Sequence, residues 1–462
     1  MPQQEQAHRE KPLTVGDMGR GGGEHEVLLR RHTIWSHQLS EHVGGRVRVA
    51  GWLHHQRQLS SRTFVVLRDG VGTIQIVVES SQLIDELAGL LPETVVAVEG
   101  LVIESPQAPG GVELHEPALE VISRPVEMPP IELKRKVLKE QLPTILDHAP
   151  VAHRHPRQQA IFRLQAATLA GYRQALSAHG FTEIQTPKLV GGATETGATV
   201  FEVGYFGETA YLAQSPQLYK QMMVGVFERV FETGPVFRAE PSETARHLAE
   251  YVSLDAEVGF IESHRDVMAF ARIAIQGMAS AVAAEEKSVA LLGCTVPTVP
   301  EEIPVIHFHE AQLLNESATG RKTVGEPDLA PADERFLGEW ALKEHGSEFL
   351  FVEGYPMSKR PFYTHPEPGR EEFSASFDLI FRGLELMTGG QRLHRYEDYE
   401  AALAARGMSP EPLSGYLQAF KYGMPPHGGF AIGLERWVAR LIGAQNIRET
   451  TLFPRDRQRL SP

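Results

Sequence analysis

Between residues 45 and 122 the chain alternates apolar and polar residues in short runs: "RVRVAGWLHH", "TFVVLRDG", "TIQIVVES", "TVVAVEGLVI" and "VELHEPALEVI". A period of two with β-branched residues predicts strands, and signals such as Asp69-Gly70 predict the turns between them. Five short strands in so few residues predict a small closed β-barrel, with the oligonucleotide-binding barrel as one candidate and a generic small β domain as the other. Before it, residues 1–28 carry "GRGGGEHE" and no periodicity, and read as a flexible tail. That leaves 29–122 for the barrel domain. Residues 123–150, with "RPVEMPPIELK" and "QLPTILDHAP", read as a linker because proline breaks any long period.

From 151 to 462 the pattern lengthens into one α+β unit. Ile161, Leu164, Leu169, Tyr172 and Leu176 recur at helical spacing and stop at Gly180. "FTEIQTPKLV" follows as a short strand broken by Pro187. The stretch "GPVFRAEPSETARHLAEYVSLDAE" predicts a strand, a polar loop and a strand. Its apolar set Val252, Leu254, Ala256, Val258 and Phe260 faces a core, and Ser253, Asp255 and Glu257 line the other face. Arg238 and Glu240 share a face of the first strand, and Arg246 and His247 sit in the loop. Alternating charge usually marks a solvated face; the density of opposed signs here favours a ligand-binding one.

Near the C-terminus, Leu434, Trp437, Val438, Leu441 and Ile442 form the stripe of an amphipathic helix. Arg436 lies off that stripe in the first turn, where the helix dipole disfavours a cation unless an anion binds there too. The competing reading is a surface arginine paired with Glu435. Two weaker signals complete the set. Gln214, Gln217 and Lys220 fall at a strand-to-helix junction, and Glu385 lies on a strand with Arg392 after a Gly-Gly turn.

Composition narrows the classes without choosing one. Among 462 residues 42% are apolar and 23% charged, which is ordinary for a globular chain. No apolar run approaches the roughly 18 residues that span a membrane. Cys294 is the one cysteine, so no disulfide or cysteine zinc cluster can form within the chain, and a cytoplasmic location is expected. A net charge of −14 excludes a uniformly basic nucleic-acid coat but not a local basic groove.

Taken together, the motifs become specific. "FRAE…RHLAEYVSLDAE" and "GLERWVARLIGAQNIRETTLFPRDRQRL" resemble motifs 2 and 3 of class II aminoacyl-tRNA synthetases, and "GFTEIQTPKLV" resembles motif 1, the dimer-forming element. "LAQSPQLYKQ", "RPFYTHPEP", "GGQRLH" and "YGMPPHGG" resemble the aspartyl members, in their compact archaeal-type form. The resemblance runs over about residues 45–462. It implies an OB-fold anticodon-binding barrel and a catalytic domain built on an antiparallel sheet flanked by helices. It implies ATP as a substrate, Mg²⁺, a homodimer and no membrane. The alternatives are a discriminating aspartyl enzyme specific for tRNA(Asp), an asparaginyl enzyme, a catalytically dead paralogue and a stand-alone asparagine synthetase.

By matching motif positions, the resemblance implies that Arg238 binds the α-phosphate, Glu240 adenine, Arg246 and His247 the outer phosphates, and Arg436 the γ-phosphate. Glu385 and Thr388 would ligate Mg²⁺; Thr388 stands where relatives often have serine. Glu195, Gln217 and Asp255 would surround the substrate ammonium, and Lys220 and Arg392 would hold its side-chain carboxylate. Asparaginyl relatives lack the lysine. In the barrel, Arg57, Phe64 and Gln75 match anticodon-reading positions. Enzymes restricted to tRNA(Asp) carry tryptophan and lysine where this chain has His54 and Pro109. That resembles the non-discriminating type, which also charges tRNA(Asn) for later conversion by an amidotransferase.

Overall fold

The computed structural model describes residues 33–59, 61–192, 199–240 and 244–461. They fall into two compact units divided between Lys139 and Glu140.

In the first unit β1 (Arg46–Leu59), β2 (Arg62–Arg68), β3 (Thr73–Val78), β4 (Val95–Glu104) and β5 (Val112–Ser123) close into a barrel of order β1-β2-β3-β5-β4. These are the five strands the alternation predicts. A helix the sequence reading missed, Ser81–Ala88, joins β3 to β4 and is capped by the Ser80 side chain. Val49, Leu53, Val65, Leu67, Ile74, Ile76 and Leu114 fill the interior. Because strand side chains alternate, Phe64 falls between the buried Thr63 and Val65 and points outward, half-buried.

The second unit holds β6 (Thr182–Glu183), β7 (Leu189–Val190), β8 (Glu202–Tyr205), β9 (Glu208–Leu212), β10 (Arg229–Phe237) and β11 (Glu250–Gly259). After these come β12 (Val305–His307), β13 (Phe349–Glu353), β14 (Pro366–Glu367), β15 (Arg370–Ser374), β16 (Ser376–Phe381), β17 (Leu384–Gln391) and β18 (His427–Gly433). Eight of them form one sheet, β12-β13-β16-β17-β18-β11-β10-β6. Its six middle strands are antiparallel, and the two edge pairs, β12 with β13 and β6 with β10, are parallel. The helices Pro156–Ala178, His264–Ala284 and Leu434–Ile442 cover one face. Phe349, Phe381 and Trp437 stack in sequence between them and the strands.

Two sequence expectations need correction. Gly389-Gly390 is not a turn but the end of β17, paired with β16 and β18. Phe260 is not core: it follows β11 with φ 59° and is 70% exposed. One helix among the described residues, His264–Ala284, is long and apolar enough to cross a membrane. Its Val267, Ala271, Ile275 and Met278 instead lie in the core, which explains the apolar composition.

That helix meets Pro156–Ala178 at paired glycines. A Cβ at Gly171 would sit 2.3 Å from the Gly277 carbonyl oxygen. Gly171→Ala therefore forces the two helices apart and is expected to cost about 1–3 kcal/mol despite its better helix propensity. A urea midpoint equal to wild type would show that this contact does not set the helix spacing.

Candidate active site

The β10–β11 hairpin lies at the centre of the site. Its predicted polar face is not solvated. Ser253, Asp255 and Glu257 are as buried as the apolar residues between them, because the helix Gln217–Phe227 covers that side. Buried carboxylates need partners. Lys220 Nζ reaches Asp255 Oδ1 at 3.0 Å, Glu257 Oε2 at 3.4 Å and the Phe430 carbonyl at 3.1 Å. Arg392 donates Nε to Glu257 Oε1 at 2.9 Å and Nη2 to the Gly429 carbonyl at 3.0 Å. Burial pushes the Glu257 carboxyl up, but Arg392 and Lys220 more than offset that and hold it below its usual range.

A cleft runs from this quartet along the sheet. One part, a cavity of about 240 Å³, is lined by Gln214, Gln217, Arg360, Tyr363 and Arg392. The other, about 330 Å³, is lined by Arg238, Glu240, Arg246, His247 and Arg436. Arg238, Tyr251, Ser253, Glu385 and Thr388 border both, so the two are continuous. In the smaller part both amide atoms of Gln214 and Nε2 of Gln217 are buried with no hydrogen-bond partner among the described residues. Such groups cost stability unless a ligand satisfies them. Lys220 and Asp255, expected to touch the substrate, are each only 1% exposed, are absent from the cavity wall and support it from behind.

In the larger part Arg238 lies 5.7 Å from the Tyr251 ring centroid and 3.8 Å from Glu240 Oε1, while His247 Nε2 is 3.7 Å from Glu240 Oε2. Arg436 does not pair with Glu435. The Glu435 carboxylate turns back to accept the Val252 N–H at 3.1 Å, and Arg436 Nη1 donates to the Glu385 carbonyl at 2.9 Å. Thr388 Oγ1 donates to Glu385 Oε1 at 3.1 Å. The two side chains face the cleft beside the arginines, and their oxygens are of the hard type that suits a hard cation. Glu195 lies outside the described residues.

Several site groups were missed in the sequence. Asp378 pairs across the strands with Thr388 and meets Arg360 Nη2 at 3.1 Å. Burial, with help from Glu385, raises its carboxyl to about 6. A lone acid in the apolar run "SFDLIF" was the available signal. Glu334, on the helix Pro331–His345, accepts the Glu385 N–H at 2.9 Å and is raised by burial to about 7. Nothing local in the sequence marks it.

On the barrel, Arg57 and Phe64 are direct cross-strand partners, with the guanidinium 5.7 Å from the ring centroid. Gln75 shares that outer face and donates Nε2 to Glu113 Oε2 at 2.8 Å, which leaves its carbonyl oxygen for a ligand. His54 is the extra residue of a bulge in β1, and Pro109 is exposed at the start of a short turn before β5.

Glu435 yields a pH prediction. Burial raises its carboxyl from 4.5 to about 7, so the folded chain holds this proton more tightly than the unfolded chain. The stability this group contributes is therefore fully present below about 4.5 and is lost as pH climbs through about 7, by on the order of 2–3 kcal/mol. Glu435→Gln keeps the acceptor for Val252 and removes the charge. It is expected to raise the melting temperature by several degrees at pH 8 and by little at pH 5. An equal effect at both pH values would contradict this.

Residues 142–457 match the family of class II tRNA synthetases (D, K and N), and residues 47–122 match the OB-fold nucleic acid binding domain. The chain is 46% identical over 425 residues to the "Aspartate--tRNA(Asp/Asn) ligase" of Thermus thermophilus, covering 92% of this chain and 98% of that one. It is 38% identical to the "Aspartate--tRNA(Asp) ligase" of Pyrococcus abyssi, covering 94% and 100%. The asparaginyl-tRNA synthetase of Pyrococcus horikoshii, solved with asparaginyl-adenylate, superposes with a TM-score of 0.86 at 31% identity over 94% of this chain and 100% of that one. With both units matched and such relatives aligned along nearly its whole described length, the chain belongs to the class II tRNA synthetases of the D, K and N family.

Proposed function

We propose that this protein is an aspartate–tRNA ligase that activates L-aspartate with ATP and charges both tRNA(Asp) and tRNA(Asn). The observation that carries the reading is the polarity of the cleft. Arg238, Arg246 and Arg436 gather at one end, and a recess with unpaired amides and Arg392 lies at the other.

In the first step an oxygen of the aspartate α-carboxylate bonds to the α-phosphorus of ATP, and the bond to the pyrophosphate oxygen breaks. In the second, a hydroxyl of the terminal tRNA ribose takes the aspartyl carbonyl and AMP leaves. Neither step needs a protein nucleophile; both need alignment and neutralised phosphate charge. Arg238 would hold the α-phosphate where it meets the carboxylate, with Glu240 on adenine and Arg246, His247 and Arg436 on the outer phosphates. Glu385 and Thr388 would hold Mg²⁺, which supplies further positive charge to the phosphates when bound.

Aspartate would lie with its ammonium toward Glu195 and Gln217, with the buried Asp255 carboxylate behind them, and its side-chain carboxylate on Arg392. Arg392 gives Nε to Glu257 and Nη2 to the Gly429 carbonyl, and Nη1 would meet the ligand. Lys220, behind the wall, compensates Asp255 and Glu257, so that Arg392 is not the only cation balancing these two buried carboxylates. An asparagine amide would face the Arg392 guanidinium without a charge, which disfavours the asparaginyl reading despite the likeness of fold.

On the barrel, Phe64 would stack on an anticodon base while Arg57 and Gln75 bond base edges. At His54 and Pro109 the chain has neither an indole nor a cation to favour one third base. The relatives agree in direction: the Thermus one, named for both tRNAs, shares 46%, and the Pyrococcus one, named for tRNA(Asp), shares 38%. A homodimer through the segment around Pro187, a cytoplasmic location and hand-over of aspartyl-tRNA(Asn) to an amidotransferase extend the same reading.

Purified tRNA(Asn) is expected to accept aspartate within about tenfold of the rate for tRNA(Asp), a gap of roughly 1.4 kcal/mol. Charging of tRNA(Asp) alone would assign the discriminating type. Arg436→Ala is expected to slow aspartate-dependent ATP–pyrophosphate exchange by about 10²–10³. Exchange as fast as wild type would leave Arg436 without its assigned role.

A further inference from the structure

Glu385 and Thr388 are three residues apart on one strand, and regular alternation would send them to opposite faces. They nonetheless meet at 3.1 Å on the cleft side. The reason is a bulge. Leu379 of β16 pairs with Met387, while the next residue, Ile380, pairs with Glu385, so β17 holds one extra residue there. Leu386 and Met387 are accordingly both buried and both belong to the core cluster, one after the other. The extra residue disrupts the ladder locally, and the peptide groups of Glu385 are held by side chains from two other elements. Glu334 Oε2 accepts its N–H at 2.9 Å, and Arg436 Nη1 donates to its carbonyl at 2.9 Å. Glu334 is itself only 9% exposed, on the helix Pro331–His345.

We propose that Glu334 is a positioning residue for the candidate cation site: by accepting the Glu385 N–H it holds the β17 bulge that puts Glu385 and Thr388 on one face. This rests on reading that pair as the cation site. Glu334 touches neither the cation nor the nucleotide in this scheme. Its carboxylate takes the place of a strand partner, and Arg436 closes the other side of the same residue. What the role requires is an acceptor of the right length, and a glutamine supplies one.

The test is Mn²⁺ binding, followed by electron paramagnetic resonance, to the full-length enzyme loaded with a non-hydrolysable ATP analogue. The magnesium concentration for half-maximal exchange is measured beside it. Glu334→Ala is expected to weaken Mn²⁺ binding about tenfold or more, as loss of a supporting shell around metal ligands does. Glu334→Gln is expected to stay within about twofold of wild type, and Glu334→Asp, which withdraws the acceptor by one methylene, to fall between. The KM for aspartate should change little in all three. Alanine within twofold of wild type overturns the proposal, and so does glutamine as weak as alanine. If the alanine variant does not fold, the comparison of Asp with Gln decides: equal binding, or tighter binding by Asp, overturns it. Exchange by the wild-type enzyme tests the catalytic reading separately, since the positioning role is read from ratios among variants.

Discussion

Four charges in the middle of a sheet hold one another in place, and the site is built outward from them. Lys220, Asp255, Glu257 and Arg392 are each at most 7% exposed. Alone, any of them would carry a desolvation penalty of several kcal/mol; together they are neutral and hydrogen-bonded. They come from three separate places: the helix Gln217–Phe227, β11, which supplies both carboxylates, and the residue after β17. Satisfying them fixes these elements relative to one another. The neighbouring strand makes room: a Cβ on Gly429 would lie 2.0 Å from Glu257 Oε2, so only glycine is compatible with this packing.

Because the quartet is neutral as built, the cleft in front of it can be graded along its length. At the quartet's end stand groups waiting for partners, the buried amides of Gln214 and Gln217. At the far end, cations predominate. Arg436 is anchored by its bond to the Glu385 carbonyl rather than by full ion pairing, since its closest approach to the Glu385 carboxylate is 3.7 Å. A guanidinium held by a neutral carbonyl keeps its charge available to an anion. The arginine therefore does not need to break a strong salt bridge before it can meet phosphate.

The barrel obeys a simpler rule. Its interior is filled by alternate residues of each strand, so the remaining residues point outward whatever their polarity. Phe64 is outward by parity alone, and its partner Arg57 follows from the register of β1 and β2. The Gln75–Glu113 bond is different, because it joins β3 to β5 in the barrel's parallel pair, strands distant in sequence.

What the sequence determined by itself was local or pattern-borne. The five barrel strands, the helix carrying Arg436 in its first turn, and the hairpin with Arg238 at its end were all legible, because periodicity of two or 3.6 reports which face is buried. That Arg238, Glu240, Arg246 and His247 would be neighbours was legible because they lie in one short run, and the structure lines one cleft with them. Tertiary structure decided the rest. Nothing within "YVSLDAEV" says that both faces of β11 are buried, since that depends on a helix and two strands arriving from elsewhere. The quartet, the carboxylate of Glu334 and the bulge that brings Thr388 beside Glu385 depend on sheet register and on close approach of distant segments. A one-residue slip reverses every side chain beyond it, and parity read from the sequence alone would have kept Glu385 and Thr388 apart.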